Sequence, residues 1–132
     1  MAHFILEYSA NLTPELDVPA LFRQLLDAAQ ATGVFPLAGI RFRARRCDEY
    51  LIAEGNPDNA FVHLSMKMGH GRTLEVRKAV GEKLFAALCA HLDPIYQRRP
   101  LAISFEIQEL NPDLNFKKNN MHDRPGDSGV RA

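Results

Sequence analysis

The sequence has no net charge, because sixteen lysines and arginines balance sixteen aspartates and glutamates. Proteins that bind nucleic acids or membrane surfaces usually carry a bulk positive field, so neither partner is predicted. There is also no apolar run near the ~18 residues that a membrane helix needs. The first residues lack the basic region and apolar stretch of a secretion signal. We therefore expect a cytoplasmic protein.

Cysteine is scarce, and no recognisable metal or hydrolase motif is present. Cys47 and Cys89 lie in unrelated segments, which favours two buried thiols over a disulfide or a metal pair. No histidine is spaced as a metal ligand with Cys, Asp or Glu, and HExxH, CxxC and GxSxG are all missing. The sequence thus predicts no metal and no cofactor.

What the chain does contain is a pattern of strand, helix and strand within 132 residues, the length of one domain. Residues 3–8 alternate between apolar and polar positions, as a strand does. Asp17 is a good N-cap for an amphipathic helix that ends at Gly33. Residues 39–45 then alternate again, which predicts a second strand.

The second half repeats this plan at an offset of roughly 60 positions. Residues 61–68 alternate as a strand, and Thr73 is placed to cap a long helix. We expect Pro94 to stop this helix, and residues 101–107 form the last alternating strand. The apolar stripe predicted for this helix consists of Val76, Val80, Leu84 and Leu88, with Phe85 beside it.

The repeat predicts an α+β fold in which a four-stranded sheet carries both helices on one face. Residues 1–122 would form one domain, with halves at about 2–58 and 59–110 and an arm at 111–122 that lies on a neighbouring subunit. Residues 123–132 are rich in turn and disorder formers and are expected to be a flexible tail. The open sheet face and its edges favour oligomerisation.

Two basic features could bind an anion. Arg41, Arg43 and Arg45 share one face of the predicted strand, either as a solvated edge or as a carboxylate or phosphate clamp. Arg46 follows directly, so the run could equally be a locally basic patch. Residues 69–72 (GHGR) precede a helix, where they form either a simple turn or an anion site at the helix N-terminus.

Several segments, in one order over residues 2 to about 122, resemble the 5-carboxymethyl-2-hydroxymuconate isomerase family of the tautomerase superfamily. The matching segments include residues 3–5 (HFI), 31–36 (ATGVFP), 39–41 (GIR), 60–63 (AFVH), 71–75 (GRTLE), 104–107 (SFEI) and 115–120 (NFKKNN). The resemblance implies a tautomerase-like duplicated β-α-β fold, a homotrimer, and a place in homoprotocatechuate degradation.

The resemblance also implies a cofactor-free keto–enol isomerase that acts on an unsaturated dicarboxylate such as 5-carboxymethyl-2-hydroxymuconate. The family's base is an amino-terminal proline exposed by loss of methionine, and arginines matching Arg41 and Arg72 hold substrate carboxylates. Arg43 is a further candidate for substrate binding. This chain has Ala2 at the proline position, so Ala2 is the expected site of the base once Met1 is removed.

Three functions follow from the resemblance and from this substitution. The first is an isomerase that uses the Ala2 amine. The second is a non-catalytic or weakly active tautomerase-fold protein that binds small carboxylates through Arg41 and Arg72. The third is a relative with another unsaturated carboxylate as its substrate. A chain that retains Met1 is expected to be nearly inactive.

Overall fold

Two sets of strand, helix and strand follow one another in the computed structural model, which describes residues 1–121. The prediction of a tail at 123–132, like the last residue of the arm, lies outside the described residues. The bounds are β1 Ala2–Ser9, α1 Val18–Ala31, β2 Ile40–Cys47, β3 Ala60–Met68, α2 Leu74–Tyr96 and β4 Leu101–Glu109.

The four strands form one sheet in the order β2-β1-β3-β4. Strand β1 is parallel to β2 and antiparallel to β3, while β3 is parallel to β4. In each parallel pair, one helix connects the two strands in the sequence. The antiparallel β1–β3 pair joins the two halves, with Leu6 opposite Leu64. The duplicated β-α-β arrangement predicted from the sequence is therefore confirmed.

The core lies between one face of the sheet and both helices. Alternate strand residues such as Phe4, Leu6 and Leu64 are buried on this face, as period-two patterning requires. The Phe22 ring of α1 lies 5.2 Å from the Phe42 ring of β2. The other buried side chains of the core include Leu21 and Leu25 of α1 and Val80, Leu84, Leu88 and Leu92 of α2.

Both helices begin where the sequence predicts. The side chain of Asp17 accepts a hydrogen bond from the Ala20 N–H at 3.1 Å, and that of Thr73 accepts one from the Val76 N–H at 3.2 Å. Each cap satisfies a backbone donor that has no partner within the helix. Helix α1 is followed by Gly33, whose φ of +69° favours glycine.

The prediction that Pro94 stops α2 is wrong, because the helix continues to Tyr96. Proline removes one N–H bond, but the following turn still forms, since the Gln97 N–H donates to the Asp93 carbonyl at 2.9 Å. Burial of Ile95 supports this last turn. The apolar stripe also differs at two positions: Val76 and Phe85 are exposed, and Leu92 and Ile95 complete the buried face.

Cys47 and Cys89 are free thiols, half-buried rather than buried as expected. Among the described helices, none combines the length and the apolar character needed to cross a membrane.

Candidate active site

The amino terminus lies at the end of the sheet where the central strand β1 begins. Ala2 is fully buried and pairs with Ile40 on one side and Met68 on the other. The Gly69 N–H donates to the Met1 carbonyl at 3.2 Å. Free termini usually fray, but this one is hydrogen-bonded to a strand on each side. The sheet therefore fixes its position.

Gly39 makes room for the first residue. A Cβ atom at this position would lie 3.3 Å from the Met1 Cα and 3.5 Å from the Met1 nitrogen. The turn Leu37–Gly39, which precedes β2, therefore passes directly against the terminal amine. The absence of a side chain at Gly39 permits this close approach.

The electrostatic surroundings of the Met1 amine favour its neutral form. Burial is the main cause that lowers the pKa of this amine, because a charge is costly away from water. Three nearby cations lower the pKa further, in the order Lys117, Arg72 and Arg41. The structure thus brings the two arginines singled out in the sequence to the amino terminus.

Arg72 is fixed by the first half of the chain. Its guanidinium donates to the Val34 carbonyl at 2.8 Å and lies 5.8 Å from the centre of the Phe35 ring. The preceding Gly71 has a φ of +107°, a backbone conformation that glycine permits. Because one hydrogen bond and one cation–π contact already orient the guanidinium, little conformational freedom is left for a ligand to remove.

Arg41 lies one residue into β2, opposite His3 of β1. It lines a cavity of about 470 Å³ together with residues of the chain's last described segment, Lys118, Asn119, Asn120 and Met121. The Asn119 amide donates to the Ala38 carbonyl at 2.9 Å, which fastens this segment to the turn before β2. The arm predicted to lie on a neighbouring subunit thus contacts its own chain at Asn119.

Arg43 lies two residues further along the same face of β2, and its guanidinium contacts the His3 Nδ1 at 3.2 Å. The described lining of the Arg41 cavity does not include it. The pKa of His3 is lowered, first by burial and then by Arg41, Arg43, Lys67 and the terminal amine. Arg45 is exposed, and Arg46 forms an ion pair with Asp48 at 2.9 Å.

The sheet face opposite the helices carries one further polar cluster. The His63 Nδ1 lies 2.6 Å from the Ser104 Oγ, and its Nε2 lies 3.3 Å from a Glu106 carboxylate oxygen. His63 is therefore hydrogen-bonded to side chains of the neighbouring strand β4. Within residues 1–121 no group of three or more His, Cys, Asp or Glu side chains is arranged to hold a metal ion.

Reasoning from residue patterns did not find Lys117, Lys118 or Asn119 as site residues. They stood only in a polar arm and in a segment quoted for the family resemblance. The available signal was the concentration of two lysines and two asparagines at residues 117–120. These residues can be interpreted as part of the site only when the arm is known to return to the amino terminus.

The comparison with protein families settles the membership of the chain. Residues 2–125 match the model of the 5-carboxymethyl-2-hydroxymuconate isomerase family. The chain belongs to this family. An Escherichia coli relative, 5-carboxymethyl-2-hydroxymuconate Delta-isomerase, is 48% identical over 122 residues, which cover 92% of this chain and 97% of the relative.

Solved structures agree with this membership. The crystal structure of a 5-carboxymethyl-2-hydroxymuconate isomerase from Deinococcus radiodurans R1 superposes with a TM-score of 0.88 at 42% identity, covering 92% of each chain. A more distant likeness, to a fused 4-OT wild-type symmetric trimer, has a TM-score of 0.53 at 20% identity and covers 81% of this chain and 85% of that one. The second likeness shows the shared tautomerase-type fold alone.

Proposed function

We propose that the protein is a cofactor-free isomerase that converts an unsaturated dienol carboxylate into its keto form, with the amino-terminal amine as the base. The observation that carries the proposal is the start of β1, which is fixed between β2 and β3, and where burial together with Lys117, Arg72 and Arg41 lowers the pKa of the Met1 amine. A base must be partly neutral near neutral pH, and these surroundings favour the neutral form.

The substrate that we propose is 5-carboxymethyl-2-hydroxymuconate, in homoprotocatechuate degradation. The names of the family and of the E. coli relative support this choice. The molecule carries three carboxylates, two from the muconate chain and one from the carboxymethyl group. This is one more than the dicarboxylate expected from the sequence, so the cations around the amine have more than two anionic groups to bind.

In the proposed reaction the neutral amine accepts the proton of the dienol hydroxyl. The electron pair moves along the conjugated chain to a carbon atom, which takes a proton back from the ammonium group. No atom is gained or lost, and no oxidant is needed. Arg41 and Arg72 hold carboxylates and stabilise the negative charge of the intermediate, since fixed cations in a partly buried site need no reorganisation.

Met1 must be removed before this chemistry can occur. While Met1 is present, the nitrogen of Ala2 is a peptide nitrogen, and the free amine stands one residue further out, by roughly 3.3–3.6 Å in an extended chain. After removal, the amine belongs to Ala2, which is fully buried beside Ile40 and Met68. We therefore propose the processed chain as the active form.

The experiment compares three proteins whose amino termini are verified by intact mass: the chain with Met1, the chain without it, and an Ala2→Pro variant without Met1. Turnover of 5-carboxymethyl-2-hydroxymuconate is followed by ultraviolet absorbance. We expect the Ala2→Pro variant to be fastest, the Met1-free parent chain slower, and the Met1-bearing chain slowest. The Ala2 amine rotates where proline is fixed, and a misplacement of ~1 Å can cost about a hundredfold in rate. Equal turnover in all three would sink the proposal.

A second candidate function is carboxylate binding without catalysis, and the observation that favours it is Ala2 itself. The arginines remain in place whether or not the amine is well oriented. Binding of the carboxylate without turnover by the Met1-free Ala2 chain, together with turnover by the Ala2→Pro variant, would establish this second function.

We propose a homotrimer as the assembly. Strands β2 and β4 leave unpaired outer edges, which association between subunits would cover. Beside β4 lies a groove of about 610 Å³ whose lining includes Leu74, Phe85, Phe105 and Ile107. The fused 4-OT protein of the same fold, a symmetric trimer, supports a closed threefold arrangement.

A further inference from the structure

The described part of the arm (residues 111–121) crosses the end of the sheet at which β1 begins. Just before the arm, the Leu110 N–H donates to the Met68 carbonyl at 2.8 Å. Near its end the Asn119 amide donates to the Ala38 carbonyl at 2.9 Å. Met68 lies at the end of β3 and Ala38 before β2, and β1 lies between these strands, so the arm passes over the amino terminus.

Lys118 of the arm and Arg41 of β2 line the same cavity of about 470 Å³. The two cations therefore face one space, although they lie far apart in the sequence. The neighbouring Arg72 already donates to Val34 and is fixed elsewhere around the amine. Lys118 is thus a fourth cation of the site, beside Arg41, Arg72 and Lys117, and nothing in the proposed reaction requires it to act on a proton.

The side chain of Asn119 is used for fastening and not for binding. Its amide nitrogen bonds the Ala38 carbonyl, and its Oδ1 accepts from the Met121 N–H at 2.8 Å. Both groups of the amide are thereby engaged with backbone groups. Lysine is a flexible point charge, so the location of its ammonium group depends on how firmly the adjacent backbone is held.

We propose that Lys118 is a specificity residue that holds the third carboxylate of the substrate, the one left over when Arg41 and Arg72 each bind one, and that Asn119 is the residue that positions it. This inference rests on the proposed function, because the count of carboxylates comes from the proposed substrate. It assigns to the arm the discrimination between a tricarboxylate and a dicarboxylate.

The test uses Met1-free protein and two substrates, 5-carboxymethyl-2-hydroxymuconate and 2-hydroxymuconate, which lacks the carboxymethyl group. We expect Lys118→Met to raise KM for the tricarboxylate about tenfold, the effect of losing one charge-assisted contact, with kcat changed less than about twofold. KM for the dicarboxylate should change less than about twofold. Lys83→Met, an exposed lysine on α2 outside the cavity, is the matched control.

Asn119→Ala should raise KM for the tricarboxylate in the same direction by a smaller factor. The double variant should be no worse than Lys118→Met alone, because a positioning residue has no effect once the residue that it positions is gone. A purely structural role for Asn119 would instead lower kcat and raise both KM values in either background.

Two results would overturn the inference: an unchanged KM for the tricarboxylate in Lys118→Met, or an equal rise for both substrates. If the parent protein turns over neither substrate, the proposed function fails separately. The dissociation constants of the two compounds, measured by calorimetry on the same variants, then decide the role of Lys118. Loss of discrimination in Lys118→Met supports it, and unchanged discrimination refutes it.

Discussion

Lys117 is the side chain with the largest electrostatic effect on the Met1 amine, ahead of Arg72 and Arg41. A nearby positive charge disfavours the ammonium form and so lowers the pKa of the amine. Lys117 and Lys118, adjacent in the arm, would then serve different purposes. In our proposal the first favours the neutral form of the terminal amine, and the second binds a carboxylate.

Lys117→Met should raise the pKa of the terminal amine toward the ordinary range of ~7.7–8.0. At any pH below that pKa a smaller fraction of the amine is then neutral, so the acid limb of amine reactivity moves to higher pH. The measurement is the rate of acetylation of the Met1 amine against pH in the unprocessed chain, where activity plays no part. Lys83→Met is the control, and coincident profiles for parent and Lys117→Met would contradict the expectation.

The turn before β2 packs closely against the first residue of the chain. At Gly39 an added Cβ would lie 3.3 Å from the Met1 Cα and 3.4 Å from the Pro36 Cγ. The first of these contacts exists only while Met1 is attached. The close packing at this element therefore depends on the processing of the terminus.

Gly39→Ala should destabilise the Met1-bearing chain by about 1 kcal/mol, the low end of the cost of overpacking. It should destabilise the Met1-free chain by less, because the contact with the Met1 backbone is then gone. Urea unfolding of both forms, with and without the substitution, measures the difference. A loss of stability that is the same in both forms would show that the Pro36 contact alone is responsible.

Much of the architecture could be predicted at the level of elements, because it depends on local patterns. Alternation indicated the four strands, and Asp17 and Thr73 marked the helix starts. Pro94 misled the prediction, since burial of Ile95 supports one more turn than the chain's local preference allows. A local rule of this kind fails where tertiary packing adds stability that the rule does not include.

The site was harder to predict, because its contacts join distant parts of the chain. Arg72 is oriented by Val34, and Asn119 is fastened to Ala38. The residue types that suit such contacts are visible in the sequence, but the pairings are set by the sheet order. Residue patterns marked Arg41 and Arg72 as candidates for an anion site and the family resemblance gave them a role, whereas the roles proposed for Lys117 and Lys118 needed the path of the arm.

At the scale of the whole molecule, a single chain leaves apolar surface uncovered. Leu114 and Phe116 of the arm are 73% and 88% exposed. Phe85 is exposed beside the groove at β4. Large apolar side chains exposed in this way favour association between subunits.

Sedimentation equilibrium should give three times the chain mass of 14.8 kDa. Phe85→Glu should shift the mass toward that of a single chain, because a charge in the groove is costly to bury. Leu51→Glu, at a position that is 82% exposed in the loop between β2 and β3, should leave the assembly intact. A Phe85→Glu protein that stays folded by circular dichroism and remains trimeric would place the interface elsewhere.

The pairing of Ala2 on both sides has a practical consequence for anyone who produces this protein. An affinity tag fused ahead of Met1 need not disturb the pairing of β1 with its two neighbours, although it must pass the turn at Gly39 that packs against Met1. Such a tag would also keep the nitrogen that we propose as the base in a peptide bond. We therefore expect protein tagged at this end to be inactive in activity screens even when it is folded. The same tag at the other end would leave the amino terminus free for processing.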